Sequence, residues 1–560
     1  MFFPEGGGKE ALKKKLMDIT THSINIAIII NSVNPNKKII GDNVVNTDFT
    51  LINDIKDHAS TTIPELKECI TEGKWDFEHP LDCGILNKLK EIDIQESDDE
   101  YRLFQQVNIV KDIWKLSIEK SIKCLRLFDL REPFLSNKLK HPVAYGVDEL
   151  RDYFDKYTDF EMMLYGAGKY YRDHVIHVFR VWLLGLKCLL SENAEYLHKI
   201  NVQYDAETNP FEKLSVWTII AMTHDLGYPL EKSQEIIEKT ESMMKSFISN
   251  PSINLNTSFD GVQNNMNDYI LRFISSKMHP INNYTGKQCI PSLNVNSEEY
   301  KKTQLPNYDD PHKYVARLQP KYYFKFQKSL EKYQHGILSS IIIYKILLYF
   351  LESDFSINED YRFSAEDVRQ YYIRREILRT ISAHTCSDIY HLDMLTFGFL
   401  LIVVDDIQDW GRKRISELYI NKNERYELKK AEPNFNDDTI KHEGRDIDIY
   451  KFTVEDSVEF GTDDIETIKD TLERLKRQSD GYKRIFRDGQ YTAKRNFSFE
   501  KRTDIIYRNK GKESVHIKVI MQVSNNTSPI FDVGIKAKKS KTKKIIKELD
   551  EYSFKILCDN

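Results

Sequence analysis

"EKLSVWTIIAMTHDLGYPL", residues 212–230, is an apolar helical run that ends on a histidine and an aspartate. Val216, Ile219, Ile220 and Met222 make it a buried helix, so His224 and Asp225 sit where that helix runs out. Buried polar groups without partners cost free energy, and two adjacent ones call for something to bind. Gly227 and Pro229, which follow at once, read as a stop that ends the helix and prevents its resumption.

Working outward, further segments near 168–190, 335–352, 366–384 and 393–410 are long and apolar enough for core helices. The expected fold is therefore mainly α, with an all-helical domain over residues 141–420. A polar stretch at about 250–320, rich in Asn, Ser, Pro and Tyr, interrupts it as an insertion or lid. Residues 1–140 form a mixed N-terminal region without a catalytic signature. A buried-strand candidate, "INIAIII" at 24–30, precedes a helical piece over 100–128 whose Leu103, Val107, Val110, Trp114 and Ile118 share one face. Residues 430–560 read as a C-terminal α+β domain, a candidate for regulation. There "DIDIYKFTVEDSVEF", "FSFEKRTDIIYR" and "SVHIKVIMQV" alternate like strands, "IETIKDTLERLKRQ" is an amphipathic helix, and "NKGK" at 509–512 makes a hairpin. The closing lysine run leads into an expected helix and reads as a solvated tail, with nucleic-acid contact the weaker reading.

Composition narrows the class. With 41% hydrophobic, 12% aromatic and 30% charged residues in 560, the chain is globular and long enough for several cores. A net charge of −5 provides no global attraction to nucleic acid. Seven scattered cysteines, with no CxxC spacing, suggest neither a disulfide framework nor a thiolate zinc site, and the opening residues lack a secretory signal. No apolar stretch reaches the roughly 20 residues of a membrane span. A reducing, cytoplasmic location and no membrane partner are expected.

The other apolar helices carry candidate partners for the 224–225 pair. "YYRDHVIHVFRVWLLG" places His174 and His177 three apart on one helical face. "EKYQHGILSSIIIYKILL" puts His335 at the front of the most apolar helix, "REILRTISAHTCSD" ends on His384, and "FGFLLIVVDDIQDWGR" runs into Asp405 and Asp406. Singly, each histidine reads as a core or surface residue and the acidic pair as a cap. It is the succession that points to a metal, because imidazole and carboxylate together suit Zn, Mn, Fe or Mg.

That order, H then HD then H then H then D, resembles the HD superfamily of metal-dependent phosphohydrolases. "HVFRV" at 177–181, "THDLG" at 223–227, "ISAH" at 381–384 and "VVDDIQDWGR" at 403–412 carry the resemblance. Gly227-Tyr228-Pro229 abuts the doublet, so it is not taken as the separate motif of the HD-GYP subfamily. The resemblance implies divalent metal ions, two in the version with added histidines. His177, His224, Asp225 and Asp405 would surround the first, His335 and His384 would complete the second, and Asp225 would bridge. Asp405 is preferred to Asp406 because the run "DDIQDW" resembles the family's terminal Asp segment. His174 is a candidate proton donor to the leaving oxygen. Lys232 and Arg172 are candidate phosphate contacts, or else surface charges. His391 is expected to play no part. The implied activity is hydrolysis of a nucleotide or related phosphate ester, with phosphodiesters favoured. The alternatives are a mononuclear enzyme acting on dNTPs or nucleoside monophosphates, and a catalytically silent nucleotide sensor.

Overall fold

The computed structural model describes residues 47–61, 78–95, 98, 102–129, 146–167, 173–202, 208–247, 262–280, 314–348, 363, 365–389, 393–408, 426–442, 445–486, 496–509, 512–524, 530–537, 545 and 555–558. The expected strand at 24–30, Arg172, His391 and much of the 250–320 stretch lie outside them.

The run quoted above forms α6 (Pro210–Thr223), the central helix, buried on every side from Phe211 to Thr223. It starts sharply. Pro210 occupies the first turn, the Asn209 side chain accepts the Glu212 N–H at 3.0 Å, and Glu212 returns a bond to the Asn209 N–H at 3.0 Å. Around it pack α3 (Val107–Asp129), α5 (Val175–Lys199), α11 (Ala365–His384) and α12 (Phe397–Ile407). Three indoles fit polar atoms into this apolar mass. Trp114 of α3 donates to the carbonyl of Met222 at 2.7 Å, Trp182 of α5 to Thr218 Oγ1 at 3.0 Å, and Trp217 to the carbonyl of Trp182 at 3.1 Å.

α3 thus belongs to the same packed body as α6, although it comes from the N-terminal stretch, as do α1 (Thr47–Thr61) and α2 (Cys83–Glu91). α1 is locked to α5 by an ion pair in which Arg180 reaches both Asp48 oxygens, at 2.9 and 2.6 Å, with each side chain 1% exposed. The Arg of the 177–181 segment is therefore committed to packing.

The Gly227–Pro229 stop is corrected. Only a turn, His224 to Gly227, separates α6 from α7 (Tyr228–Phe247), which begins immediately with Pro229 in its first turn. Proline is tolerated there because first-turn N–H groups have no intrahelical acceptor. α4 (Val147–Ala167) holds the turn from one side, where Tyr153 Oη donates to the carbonyl of Leu226 at 2.7 Å.

The helical region is not free of strands. α8 (Val262–Ser275) leads into β1 (Ser276–Pro280), which pairs antiparallel with β2 (Tyr314–Leu318) before α9 (Pro320–Glu331) and α10 (His335–Leu348). These fall within or beside the stretch read as a polar insertion, and Ile270, Phe273 and Ile274 of α8 are core residues.

The C-terminal region is a six-stranded sheet in the order β3 (Tyr426–His442), β4 (Arg445–Phe460), β5 (Asn496–Asn509), β6 (Lys512–Ser524), β7 (Ile530–Ala537) and β8 (Lys555–Cys558). β4 and β5 run parallel, connected through α13 (Ile465–Phe486), while β5 and β6 form the hairpin expected at 509–512. The last residues of the expected terminal helix are instead β8, paired parallel with β7. Alternation sets the buried face: Phe499, Lys501, Thr503, Ile505 and Tyr507 of β5, with Val515, Ile517, Val519, Met521 and Val523 of β6. This face meets the helices, where Tyr196 of α5 stacks on Phe435 at 4.4 Å and Phe399 of α12 meets Phe452 edge-on at 5.4 Å. Among the described residues no helix is long and apolar enough to cross a membrane.

Candidate metal centre

Six side chains from five helices or their ends meet beside the α6–α7 turn. His177 comes from the first turn of α5, His224 and Asp225 from the end of α6, His335 from the start of α10, His384 from the end of α11 and Asp405 from the last turn of α12. They form three overlapping triplets, His177–His224–Asp225, His224–His384–Asp405 and Asp225–His335–His384, whose ligand atoms lie within 4.8 Å of one another in each.

The separations are short enough for these groups to hold a cation in common. His177 Nε2 is 2.9 Å from Asp405 Oδ1 and 3.6 Å from Asp225 Oδ2. His224 Nε2 is 3.6 Å from Asp225 Oδ1 and 3.8 Å from Asp405 Oδ1. His335 Nε2 and His384 Nε2 are 3.3 and 3.7 Å from Asp225 Oδ1, and 3.2 Å from each other. Two nitrogens bound at about 2.1 Å to one tetrahedral cation stand about 3.4 Å apart. Asp225 turns Oδ2 toward His177 and Oδ1 toward the other three histidines, so its two oxygens face different parts of the cluster.

Each ring is fixed from behind. His224 Nδ1 faces the carbonyl of Ala221 at 2.8 Å and His384 Nδ1 that of Ile381 at 2.6 Å. His335 Nδ1 faces Glu231 Oε2 at 2.8 Å, and His177 Nδ1 faces Gln408 Oε1. Because all four partners are acceptors, each Nδ1 carries a proton and each Nε2 is left for the interior of the cluster. His224 Nε2 is buried with no hydrogen-bond partner among the described residues, as a nitrogen facing a cation would be.

The electrostatics are coupled. Burial opposes charge on Asp225 and Asp405, yet His224, His335 and His384 around the first, and His177 and His224 around the second, hold both carboxyls well below the aspartate range. Burial also pulls His335 down, but its bonds to Asp225 and Glu231 prevail and push it up to about 10. For His384 burial wins, helped by His335 and His224, and the pKa falls. A cation held here would take the place of protons as the source of positive charge. His177 and His224 are at most 1% exposed, whereas Asp405 and His335 are 32% and 20% exposed, so the cluster opens to solvent on their side.

Close backbone approach makes this geometry feasible. A Cβ on Gly227 would lie 2.4 Å from the His335 carbonyl oxygen, and one on Gly336 2.6 Å from that of Ile381. Ser339 Oγ ties the turn to α10, accepting the Gly227 N–H at 2.8 Å and donating to the carbonyl of His224 at 2.6 Å.

All six expected ligands are thus brought together, and of the two adjacent acids Asp405 faces the cluster while Asp406 points to Lys501, 3.9 Å away. His174 and Lys232 lie outside the triplets. The buried His174 ring stacks on Tyr228 at 3.9 Å, with Nδ1 3.2 Å from Glu161 Oε1. Lys232 Nζ lies 5.1 Å from the Tyr228 ring centre and 3.9 Å from Glu231 Oε1. Sequence reasoning missed Glu231, Gln408, Glu161 and Ser339. Gln408 falls in the quoted "DDIQDW" run, but for the other three nothing in the sequence marks the contact. No protein-family model, curated protein or solved structure gives a significant match to the chain.

Proposed function

We propose that this chain is a metal-dependent phosphohydrolase of the HD type, acting on a nucleotide or related phosphate ester, with phosphodiesters favoured. The observation that carries the reading is the convergence of four Nε2 atoms and two carboxylates, from positions 177 to 405, on one partly open cluster. The donor set fits divalent metal: four imidazoles whose Nδ1 atoms face acceptors, two ionised carboxylates, and an otherwise unsatisfied His224 Nε2. His177, His224, Asp225 and Asp405 would hold one cation and His335, His384 and Asp225 a second. Bound there, such ions supply Lewis acidity that lowers the pKa of water and offsets charge on phosphoryl oxygens.

The chain's own groups do the rest. Asp225, with an oxygen toward each part of the cluster, sets the spacing of the two halves. His174, its Nδ1 3.2 Å from Glu161 Oε1, would as the imidazolium be the donor of a proton to the leaving oxygen. Lys232, at the first turn of α7, is the candidate phosphate contact within the described residues. The open side at Asp405 and His335 admits the substrate, while the apolar helices behind exclude bulk water.

The test combines metal analysis with turnover. The purified protein loaded with Mn, Mg, Fe or Zn should bind about two ions per chain and hydrolyse bis(p-nitrophenyl) phosphate. Asp225→Ala and His224→Ala should abolish both while the helices persist by circular dichroism. Full turnover in either variant places the chemistry elsewhere. One ion per chain supports the mononuclear reading, and nucleotide binding without turnover for any metal supports the sensor.

A further inference from the structure

We infer that Lys501, on the C-terminal sheet, is a positioning residue for the metal centre, acting through Asp406 on the last turn of α12; the inference rests on the metal-centre reading above. Strand alternation turns Lys501 inward among Phe499, Thr503 and Ile505, and it is 2% exposed. A lysine in such a place needs acceptors. It finds Asp456 of β4 at 3.4 Å, Gln478 of α13 at 3.4 Å and Asp406 of α12 at 3.9 Å. These groups line one small cavity in which the end of α12, the sheet and α13 meet.

The reason to connect this lysine with the metal centre lies in what the turn does on its other side. Both ring nitrogens of His177 are engaged by it: Nε2 by Asp405 Oδ1 at 2.9 Å, and Nδ1 by Gln408 Oε1. The Gln408 N–H closes the turn on the carbonyl of Val404 at 3.1 Å. Two consecutive carboxylates at a helix C-terminus face the negative end of the helix dipole and repel each other, so the turn tends to fray unless both are neutralised. Asp405 faces the imidazoles of the cluster, and Asp406 has the Lys501 ammonium, 3.9 Å away, as one of its partners. Consecutive helical residues point about 100° apart. Clamping Asp406 therefore fixes the rotation of the turn and with it the aim of Asp405 and Gln408. The sheet is then part of what makes the centre competent to bind metal.

The experiment uses the full chain, stripped of metal, and titrates Mn(II) by calorimetry while thermal stability is followed separately. Lys501→Met should weaken Mn(II) binding roughly tenfold, and Lys501→Arg, which keeps the charge, should restore most of it. Asp406→Asn should weaken binding similarly, and adding Lys501→Met to it should cause little further loss, since the two act as a unit. A lysine that only supports folding would lower the melting temperature and leave Mn(II) affinity unchanged, and that result overturns the inference. If Lys501→Met fails to fold, the near-isosteric Asp406→Asn carries the test, and unchanged affinity there is equally fatal. A wild-type chain that binds no Mn(II) removes the metal-centre reading itself, whereas metal binding indifferent to both positions removes only the role of Lys501.

Discussion

Gly227→Ala tests the site through the packing that assembles it. The Gly227 φ angle is not positive, so the backbone there would accept alanine, and any penalty is steric. The added methyl would lie 2.4 Å from the His335 carbonyl oxygen and 2.7 Å from both Leu338 Cβ and the Ser339 nitrogen. Two of those atoms are backbone, so rotating a side chain offers no escape. Reaching ordinary contact needs the start of α10 to retreat from the turn by about 1 Å, with a cost of about 1–3 kcal/mol for overpacking. Stiffening of the unfolded chain acts the other way by about 0.4–1 kcal/mol, so the net change is destabilising. The same retreat carries His335 away from Asp225 and His384, now 3.3 and 3.2 Å from its Nε2. Metal–ligand distances tolerate only about ±0.2 Å, so a cation at this triplet should be lost. His177 and Asp405 do not depend on α10, and a cation on their side should remain. Urea denaturation of the metal-free protein and metal analysis of the loaded protein read the two effects independently. A variant as stable as wild type and carrying the full metal complement would refute the reasoning.

Glu231→Gln keeps the shape behind His335 but removes one of the two charges that make its ring basic, the other being Asp225, so affinity for Zn(II) or Mn(II) should fall about 10–100-fold; an unchanged isotherm would show that the 2.8 Å contact does not support the ligand. Asp48→Ala leaves Arg180 buried without its carboxylate and should cost about 3–5 kcal/mol in urea unfolding. A loss under about 1 kcal/mol would mean that the pair behaves as a surface ion pair. His79, fully buried, is lowered by that burial from 6.5 to about 4. The unfolded chain therefore binds this proton more tightly, and the contribution is intact above pH 6.5 and lost as pH falls toward 4. It amounts to about 3 kcal/mol. His79→Gln should accordingly narrow the difference in urea midpoint between pH 7 and pH 5, and equal acid sensitivity in the two proteins would exclude His79 as its source.

What could be read in advance and what could not divide along a physical line. α6 was legible because an uninterrupted apolar run has one home, and His224 and Asp225 were legible because ionisable groups at its end are costly unless something binds them. The same argument offered His174, His177, His335, His384, Asp405 and Asp406 as partners, and the resemblance to the HD superfamily singled out His177 and Asp405 among them. β3 was not named as a strand: Asn, Asp and Pro433 blur its alternation, yet a strand at the sheet edge tolerates proline because one side of its ladder is unpaired. At Gly227 the helix end was legible and the close approach of another element was not. Its sequence context describes a helix end, but what excludes a side chain is the His335 carbonyl, more than a hundred residues away. Glu231 and Lys501 are the same case in charged form. A glutamate in a first turn and a lysine in a strand are unremarkable as residue types, and only the approach of α10 and α12 turns them into partners of the cluster. Chemical strain is local and leaves its mark on the sequence, whereas relief of that strain comes from whichever element arrives in space. It follows that the ligands of such a centre can be nominated from one chain, while the residues that aim them are visible only after folding, and substitutions at Glu231, Ser339 and Lys501 are where the two kinds of knowledge separate experimentally.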